Sequence, residues 1–374
     1  MNKLKDVTVL IKPSSSSCDN VCSYCFYDDV SQCRKVKSYG LMDDETRKNI
    51  IKNTLKDKTL EHVNFAFQGG EPTLIGIDYY YSFIEEVNKE NHNAEITYAI
   101  QTNGVSLNEE WLNFFKKHNF LVGISIDGYK ENHDKHRFFH RKGSFDHVYA
   151  SLKLIQKYEL DYNVLTVLTK NLANNPDKLF DFYLENNLSN IQIIECLPDF
   201  NQTVYESPFA CTPELYDSFY KQFYKRWYEQ LELGNYMSIS LFDDCIRLMN
   251  QRMPITCGRY GGCKPQAVIE ADGKCYPCDF YVMDGFETGK LHEEELSEIL
   301  QPSRYYSFIK RPQTTMSQCK QCPYFNWLCH GGCPRMKETF INEKQCSYQR
   351  LLQLFIDNKK AINQQMTLIY NKGR

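Results

Sequence analysis

No run of about 18 consecutive apolar residues occurs in this 374-residue chain, so no segment is long and greasy enough to cross a bilayer as a helix. A surplus of one charge is missing too. The formal net charge is −3, with acidic and basic residues interspersed, which excludes the basic face that DNA, RNA or anionic lipid would demand. The opening segment "MNKLKDVTVLIKPSSSS" has no uninterrupted apolar core, because Asp6, Lys12 and Pro13 break it, so it does not read as a secretory signal. Low-complexity tracts are absent. These absences point to a cytoplasmic protein with neither nucleic-acid nor membrane partners, and at roughly 150 residues per domain the length allows two or three domains.

Cysteine, by contrast, is abundant. There are sixteen, and a reducing compartment removes disulfides as their explanation. Most fall in three groups: Cys18, Cys22 and Cys25; then Cys257, Cys263, Cys275 and Cys278; then Cys319, Cys322, Cys329, Cys333 and Cys346. Clustering of this kind in a cytosolic chain points to metal.

The first two hundred residues alternate two kinds of segment. Runs rich in β-branched or aromatic residues, such as "VTVLIKP" (7–13), "HVNFAFQ" (62–68), "EITYAIQTNG", "FLVGISIDG", "LDYNVLTVLT" and "NIQIIECLP", predict strands. Amphipathic runs between them, such as "DETRKNIIKNTLKD" (44–57), predict helices. Six strand–helix units in a row predict a parallel sheet, since parallel neighbours need a crossover, and six units suggest an open or partial barrel. Reactive groups then belong at the carboxyl ends of the strands, where "KPSSSSC", "QGGEPT", "QTNG" and "SIDG" lie. The alternation stops at the aromatic-rich "TPELYDSFYKQFYKRWYEQLELG" (212–234), which reads as a core-packing helix. The division expected is a barrel over 1–235 and a cysteine-dense, metal-stapled region with a helical tail over 236–374.

The amino-terminal C-x3-C-x2-C supplies three thiolates to one loop. A cubane iron–sulfur cluster has four irons, so three ligands leave one iron open, and an open position marks a catalytic metal. A tetrahedral zinc site completed by a distant side chain is the alternative that the same spacing allows.

C-x3-C-x2-C with Tyr24 before its last cysteine and Phe26 after it, followed by "GGEP" (69–72), "QTNG" (101–104) and "SIDG" (125–128), resembles the radical S-adenosylmethionine superfamily. The resemblance implies that the open iron binds the amino and carboxylate groups of S-adenosylmethionine, which is cleaved to a 5′-deoxyadenosyl radical. It implies cofactor contacts at Tyr24, Gly70, Ser125, Arg137 and Leu197, with Glu71 available to an ammonium and Asp127 to ribose hydroxyls. The later cysteines resemble the SPASM domain and imply two closed [4Fe–4S] clusters. Cys257, Cys263, Cys278 and Cys333 would hold one, and Cys319, Cys322, Cys329 and Cys346 the other. That makes three [4Fe–4S] clusters in all. Two features depart from the pattern: six residues instead of five between Cys322 and Cys329, and the extra Cys275, which reads as a buried side chain or free thiol.

From "LIKPSSS" through "FQGGEPTL" and "YPCDFYV" to the last cysteines, the chain resembles anaerobic sulfatase-maturating enzymes. That family oxidises a Cys or Ser of a sulfatase to Cα-formylglycine, and an external donor such as ferredoxin or flavodoxin would supply electrons. Asp279, next to Cys278, would be the base, and Gln68 would orient the substrate backbone. The rival readings are a peptide maturase that installs a thioether or other crosslink, and a non-catalytic electron carrier. The cluster loop begins at residue 18, which leaves little room for the leader-recognition domain many peptide maturases carry and favours the sulfatase reading.

Overall fold

In "DVTVLI", four of six residues are β-branched, and the first strand forms over Asp6–Ile11 with Val9 and Ile11 wholly buried. The computed structural model describes residues 5–258, 260–261, 263–264, 266–311 and 315–372. The other expected strands follow at His62–Phe67, Glu95–Thr102, Phe120–Ser125, Tyr162–Leu168 and Asn190–Glu195. Helices form between them where the pattern turns amphipathic and a cap is available. Asp43, for example, accepts the Thr46 N–H at 2.7 Å to open the helix Asp44–Leu55, and Asn108 does the same for Trp111 at 3.1 Å ahead of Glu109–Lys117.

The chain folds into two compact units, each assembled from separate stretches of sequence. The first comprises Met1–Ser125, His136–Tyr162 and Lys264–Arg311. Its sheet runs in the order Phe120–Ser125, Glu95–Thr102, His62–Phe67, Asp6–Ile11, Ala267–Ile269, Lys274–Tyr276 and Gly289–Lys290. The first four strands are parallel, with Ile11 level with Phe67 and Phe67 level with Ile100. The late segment Ala267–Ile269 also joins the first strand in parallel, pairing Val9 with Ala267 and Ile11 with Ile269. It turns back antiparallel through Lys274–Tyr276, so the segment that ends in Cys278 and Asp279 is part of this sheet. Phe65, Phe67, Phe83, Tyr80 and Phe120 form an aromatic core, edge-to-face except for the stacked pair Phe67–Phe120, with ring centroids about 5 to 6.5 Å apart.

The second unit comprises Ile126–Lys135, Asn163–Cys263 and Pro312–Arg374. Asn190–Glu195 lies parallel between Tyr162–Leu168 and the short Ser238–Ile239. The aromatic-rich helix, Pro213–Glu232, is a core element as its pattern predicts, burying Tyr216, Phe219, Phe223 and Trp227. Trp227 packs on Phe242 at 5.4 Å and on Phe355 at 5.6 Å. The helical tail is two helices, Ser347–Asp357 and Lys359–Lys372, parted at Asn358, whose backbone leaves helical geometry at φ −98° and ψ 9°.

Candidate active site

In the first unit the cysteine loop is built from turns. Ser15 N–H bonds the Lys12 carbonyl at 3.1 Å, Ser17 N–H bonds Ser14 at 2.9 Å, and Cys25 N–H bonds Cys22 at 3.1 Å. A small antiparallel sheet braces it, in which Asn20–Cys22 pairs with Arg137–Phe139 and Cys22 stands opposite Arg137. The Arg137 guanidinium donates to the Tyr24 hydroxyl at 3.2 Å, and Ser23 meets His136 through backbone and side chain, both at 2.9 Å. Two residues that the motif pattern named separately, Tyr24 and Arg137, are thus brought into contact.

The GGEP turn closes over the same loop. Gly70 N–H bonds Ser15 O at 2.9 Å and Glu71 N–H bonds Ser17 O at 2.8 Å. A Cβ at Gly70 would stand 2.1 Å from the Ser17 carbonyl oxygen, so this position admits only glycine. The close approach is to the backbone that carries Cys18. Glu71 is wholly buried, and its carboxylate accepts from Thr73 N (3.0 Å), Thr73 Oγ1 (2.7 Å), Thr102 Oγ1 (2.8 Å) and Asn103 N (2.7 Å). Burial nonetheless raises its pKa above the usual carboxylate range, against the pull of those donors. In this geometry Glu71 ties GGEP to QTNG.

Asn103 carries the tie onward. Its side-chain oxygen accepts Val105 N–H at 2.9 Å, while its amide nitrogen donates to Asp19 at 2.6 Å and to the Cys18 sulfur at 3.7 Å. Cys18 keeps some solvent-accessible surface, yet the packing around its thiol, reinforced by the Glu71 charge, pushes it up to about 12. Burial raises Cys25 in the same direction. Thiols held this way ionise only against a strong positive partner, which suits an iron cluster. Ser125, at the end of the fourth strand, accepts from Gln101 at 3.0 Å.

Asp279 begins the turn after Cys278, and three side chains converge there. Gln68 Nε2 donates to Asp279 Oδ2 at 2.5 Å, and Lys12 Nζ lies 2.5 Å from Oδ1. Gln68 and Asp279 were each legible as site residues; Lys12 was not. Its only sequence signal is a lysine directly after a buried apolar strand, which the parallel pairing seals from water.

In the second unit, Asp127 is wholly buried and its carboxylate accepts Val167 N–H at 3.0 Å, while its own N–H meets His133 Nδ1 at 3.2 Å. Leu197 is buried just after the sixth strand. Cys319, Cys322, Cys329 and Cys346 line one pocket together with Tyr324, Phe325, Tyr348 and Leu352. Gly331 N–H points at the Cys329 sulfur (3.3 Å) and Gln349 N–H at that of Cys346 (3.4 Å). Burial raises these two thiols to about 11 and about 12. No three Cys, His, Asp or Glu side chains among the described residues are arranged to hold a single metal ion. Four cysteines lining one pocket suit the ligand set of a multi-iron cluster. Cys257 and Cys333 lie on loops that zip together, Cys333 N–H to Gly258 O at 2.5 Å and His330 N–H to Tyr260 O at 2.7 Å, and Cys263 follows the first of those loops. Cys278 belongs to the first unit. Cys275 is buried within the antiparallel pair of that unit, outside the four-cysteine pocket.

Comparison with known proteins agrees in both regions. The radical SAM superfamily matches residues 13–182 and an iron–sulfur cluster-binding domain, SPASM, matches residues 261–323. A cysteine-type anaerobic sulfatase-maturating enzyme of Clostridium novyi is 40% identical over 90% of this chain and 90% of its own. A serine-type enzyme of Bacteroides thetaiotaomicron is 27% identical over 92% of this chain and 87% of its own. Among solved structures, native anSMEcpe with bound AdoMet superposes with a TM-score of 0.86 at 34% identity, covering 98% of this chain and 99% of that one. SuiB of Streptococcus suis bound to its precursor peptide, at 16% identity and a TM-score of 0.60, shares the fold alone. Identity of this extent, reaching through both the amino-terminal strands and the late cysteines, makes the chain a member of the anaerobic sulfatase-maturating family of radical SAM enzymes.

Proposed function

We propose that this enzyme oxidises a cysteine of a sulfatase, within a C-x-P-x-R type segment, to Cα-formylglycine. The observation that carries the proposal is Asp279, a carboxylate fixed by Gln68 beside Cys278 in the sheet that also carries the cluster loop. Greater identity to cysteine-type than to serine-type relatives supports a thiol substrate. Structures of anSMEcpe with AdoMet and the Kp18Cys or Cp18Cys peptide support a peptide segment as the substrate form.

When bound, three [4Fe–4S] clusters and S-adenosylmethionine supply the electron and the 5′-deoxyadenosyl radical that removes hydrogen from the substrate Cβ. Cys18, Cys22 and Cys25 would hold the cluster whose fourth iron is kept for S-adenosylmethionine. Cys319, Cys322, Cys329 and Cys346 close the second, and the family's cysteine order gives the third to Cys257, Cys263, Cys278 and Cys333. Tyr24 and Arg137, already in contact, offer a hydroxyl and a guanidinium to the cofactor, with Gly70, Ser125, Asp127 and Leu197 completing its contacts. Glu71 acts through the loops it ties together. Asp279 takes the thiol proton, and Gln68 holds both that carboxylate and the substrate backbone. The one remaining electron would pass to an iron–sulfur cluster to leave the thioaldehyde, and water would hydrolyse that to the aldehyde with release of hydrogen sulfide. An external one-electron donor such as ferredoxin or flavodoxin feeds the site. No helix among the described residues is long and apolar enough to cross a membrane, and the reduced thiols suit the cytoplasm.

The test is anaerobic incubation of the reconstituted enzyme with S-adenosylmethionine, reductant and a C-x-P-x-R peptide, followed by mass spectrometry. Conversion of –CH2SH to –CHO is expected. A crosslinked peptide without the aldehyde would instead select the peptide-maturase reading.

A further inference from the structure

A lysine with no exposed side-chain surface is uncommon, and a wholly buried one needs a partner. Lys12 meets two. Its ammonium pairs with Asp279 and lies 3.9 Å from the centroid of the Tyr27 ring. Behind that ring the Tyr27 hydroxyl donates to Glu270 Oε2 at 2.6 Å, and Arg34 bonds the same oxygen at 2.5 Å with both side chains sealed from solvent. The sheet register explains the grouping. Ile11 pairs with Ile269, so the next residues along the two parallel strands are Lys12 and Glu270. Two cations and two anions therefore alternate through one column, Arg34, Glu270, Lys12 and Asp279, with a tyrosine between the inner pair.

Asp279 is the member that reaches solvent, at 16% exposure. A carboxylate offers about four lone-pair sites. Lys12 stands 2.5 Å from the buried Oδ1 as an ion-pair partner and Gln68 donates to Oδ2, so the two oxygens are held from two sides while lone-pair capacity remains on the carboxylate for an incoming proton. We propose that Lys12 is a positioning residue for the oxidation, holding the Asp279 carboxylate in the orientation that receives the substrate thiol proton, and that Tyr27, Glu270 and Arg34 are the backing that keeps the lysine in place. This rests on Asp279 being the base. Lys12 acts only through Asp279 and takes no proton itself.

The experiment is a double-mutant cycle on the reconstituted holoenzyme with Lys12→Met, Asp279→Asn and the pair, scoring 5′-deoxyadenosine and formylglycine peptide separately. Methionine keeps the packing on Tyr27 and removes the charge. Lys12→Met should cleave S-adenosylmethionine at the normal rate, bind peptide with little change in KM, and lose about a hundredfold in kcat for product, the scale of a misplaced catalytic group. The double variant should be no worse than Asp279→Asn alone, because the lysine acts through the aspartate. Losses that multiply in the double variant would show a separate structural defect and overturn the proposal. So would an unchanged ratio of product to deoxyadenosine in Lys12→Met while Asp279→Asn loses product. Full product from Asp279→Asn would overturn the base assignment itself. Should Lys12→Met fail to fold, Tyr27→Phe keeps the ring and cuts the link to Glu270: a several-fold fall in coupling is expected, and normal coupling overturns the role of the backing.

Discussion

The cysteine loop of the first unit and the cysteine pocket of the second hold their thiols in different ways. At residues 18–25 the sulfurs sit on a loop of turns whose shape is imposed from outside, by the Arg137–Phe139 strand, the GGEP turn and the Asn103 side chain. At residues 319–346 four cysteines line one pocket together with Tyr324, Phe325, Tyr348, Leu352, Gln318 and Gln349. With one cluster at each, three thiolates would leave one iron open to a small molecule, whereas four would leave none. On the proposed ligand sets, the same element would serve as a reaction centre in one setting and as a closed structural or electron-holding centre in the other.

Breaking the first setting should have the largest effect. Cys22→Ala is expected to abolish reductive cleavage of S-adenosylmethionine, read as loss of 5′-deoxyadenosine; retained cleavage would refute the assignment of the open site. Next, Asp279→Asn should keep cleavage and lose formylglycine, separating the chemistry of the substrate from that of the cofactor. Cys329→Ala should strike the other setting. Iron should fall from about twelve to about eight per chain, by four-iron stoichiometry, with the deoxyadenosine-forming site still loaded. Iron and sulfide analysis of the anaerobically purified variant checks this, and unchanged iron would remove Cys329 from the ligand set.

Smaller effects sharpen the contrast. Gly70→Ala forces a methyl into the Ser17 carbonyl, and a cost of about 1–3 kcal/mol is expected, with a lower melting temperature and less iron retained at the first loop. Phe355→Ala, deep in the second unit, should cost about 3–5 kcal/mol of stability while leaving the ratio of product to deoxyadenosine in the surviving protein unchanged. A changed ratio would show that packing in that unit reaches the chemistry.

Much of this was legible because it depends on local pattern. β-Branched runs placed the six strands, and cysteine spacing grouped Cys319, Cys322, Cys329 and Cys346, which the fold does bring to one pocket. What stayed hidden depends on pairing over long separations. Ala267–Ile269 is three residues long, too short for its alternation to reveal a neighbour, yet it docks against the first strand. Lys12 looked like an interruption in an apolar run and proved to be the partner of Asp279. Glu71 was read as a hand extended to a ligand, and its four donors show that it also holds the loops of the site together. A motif names the residue; only the register says what stands beside it.

That register also has a consequence in time. The strand that flanks residues 9–11 lies at 267–269, so during synthesis the first strand waits for a neighbour made some 260 residues later. At about 5–20 residues per second that is a delay of roughly 13 to 50 seconds. Until then Lys12 has no Asp279 to pair with, and the edge of the growing sheet stands open. The nascent chain thus pairs its first strand with His62–Phe67 early and can bring Asp279 to Lys12 and Gln68 only after the late segment docks.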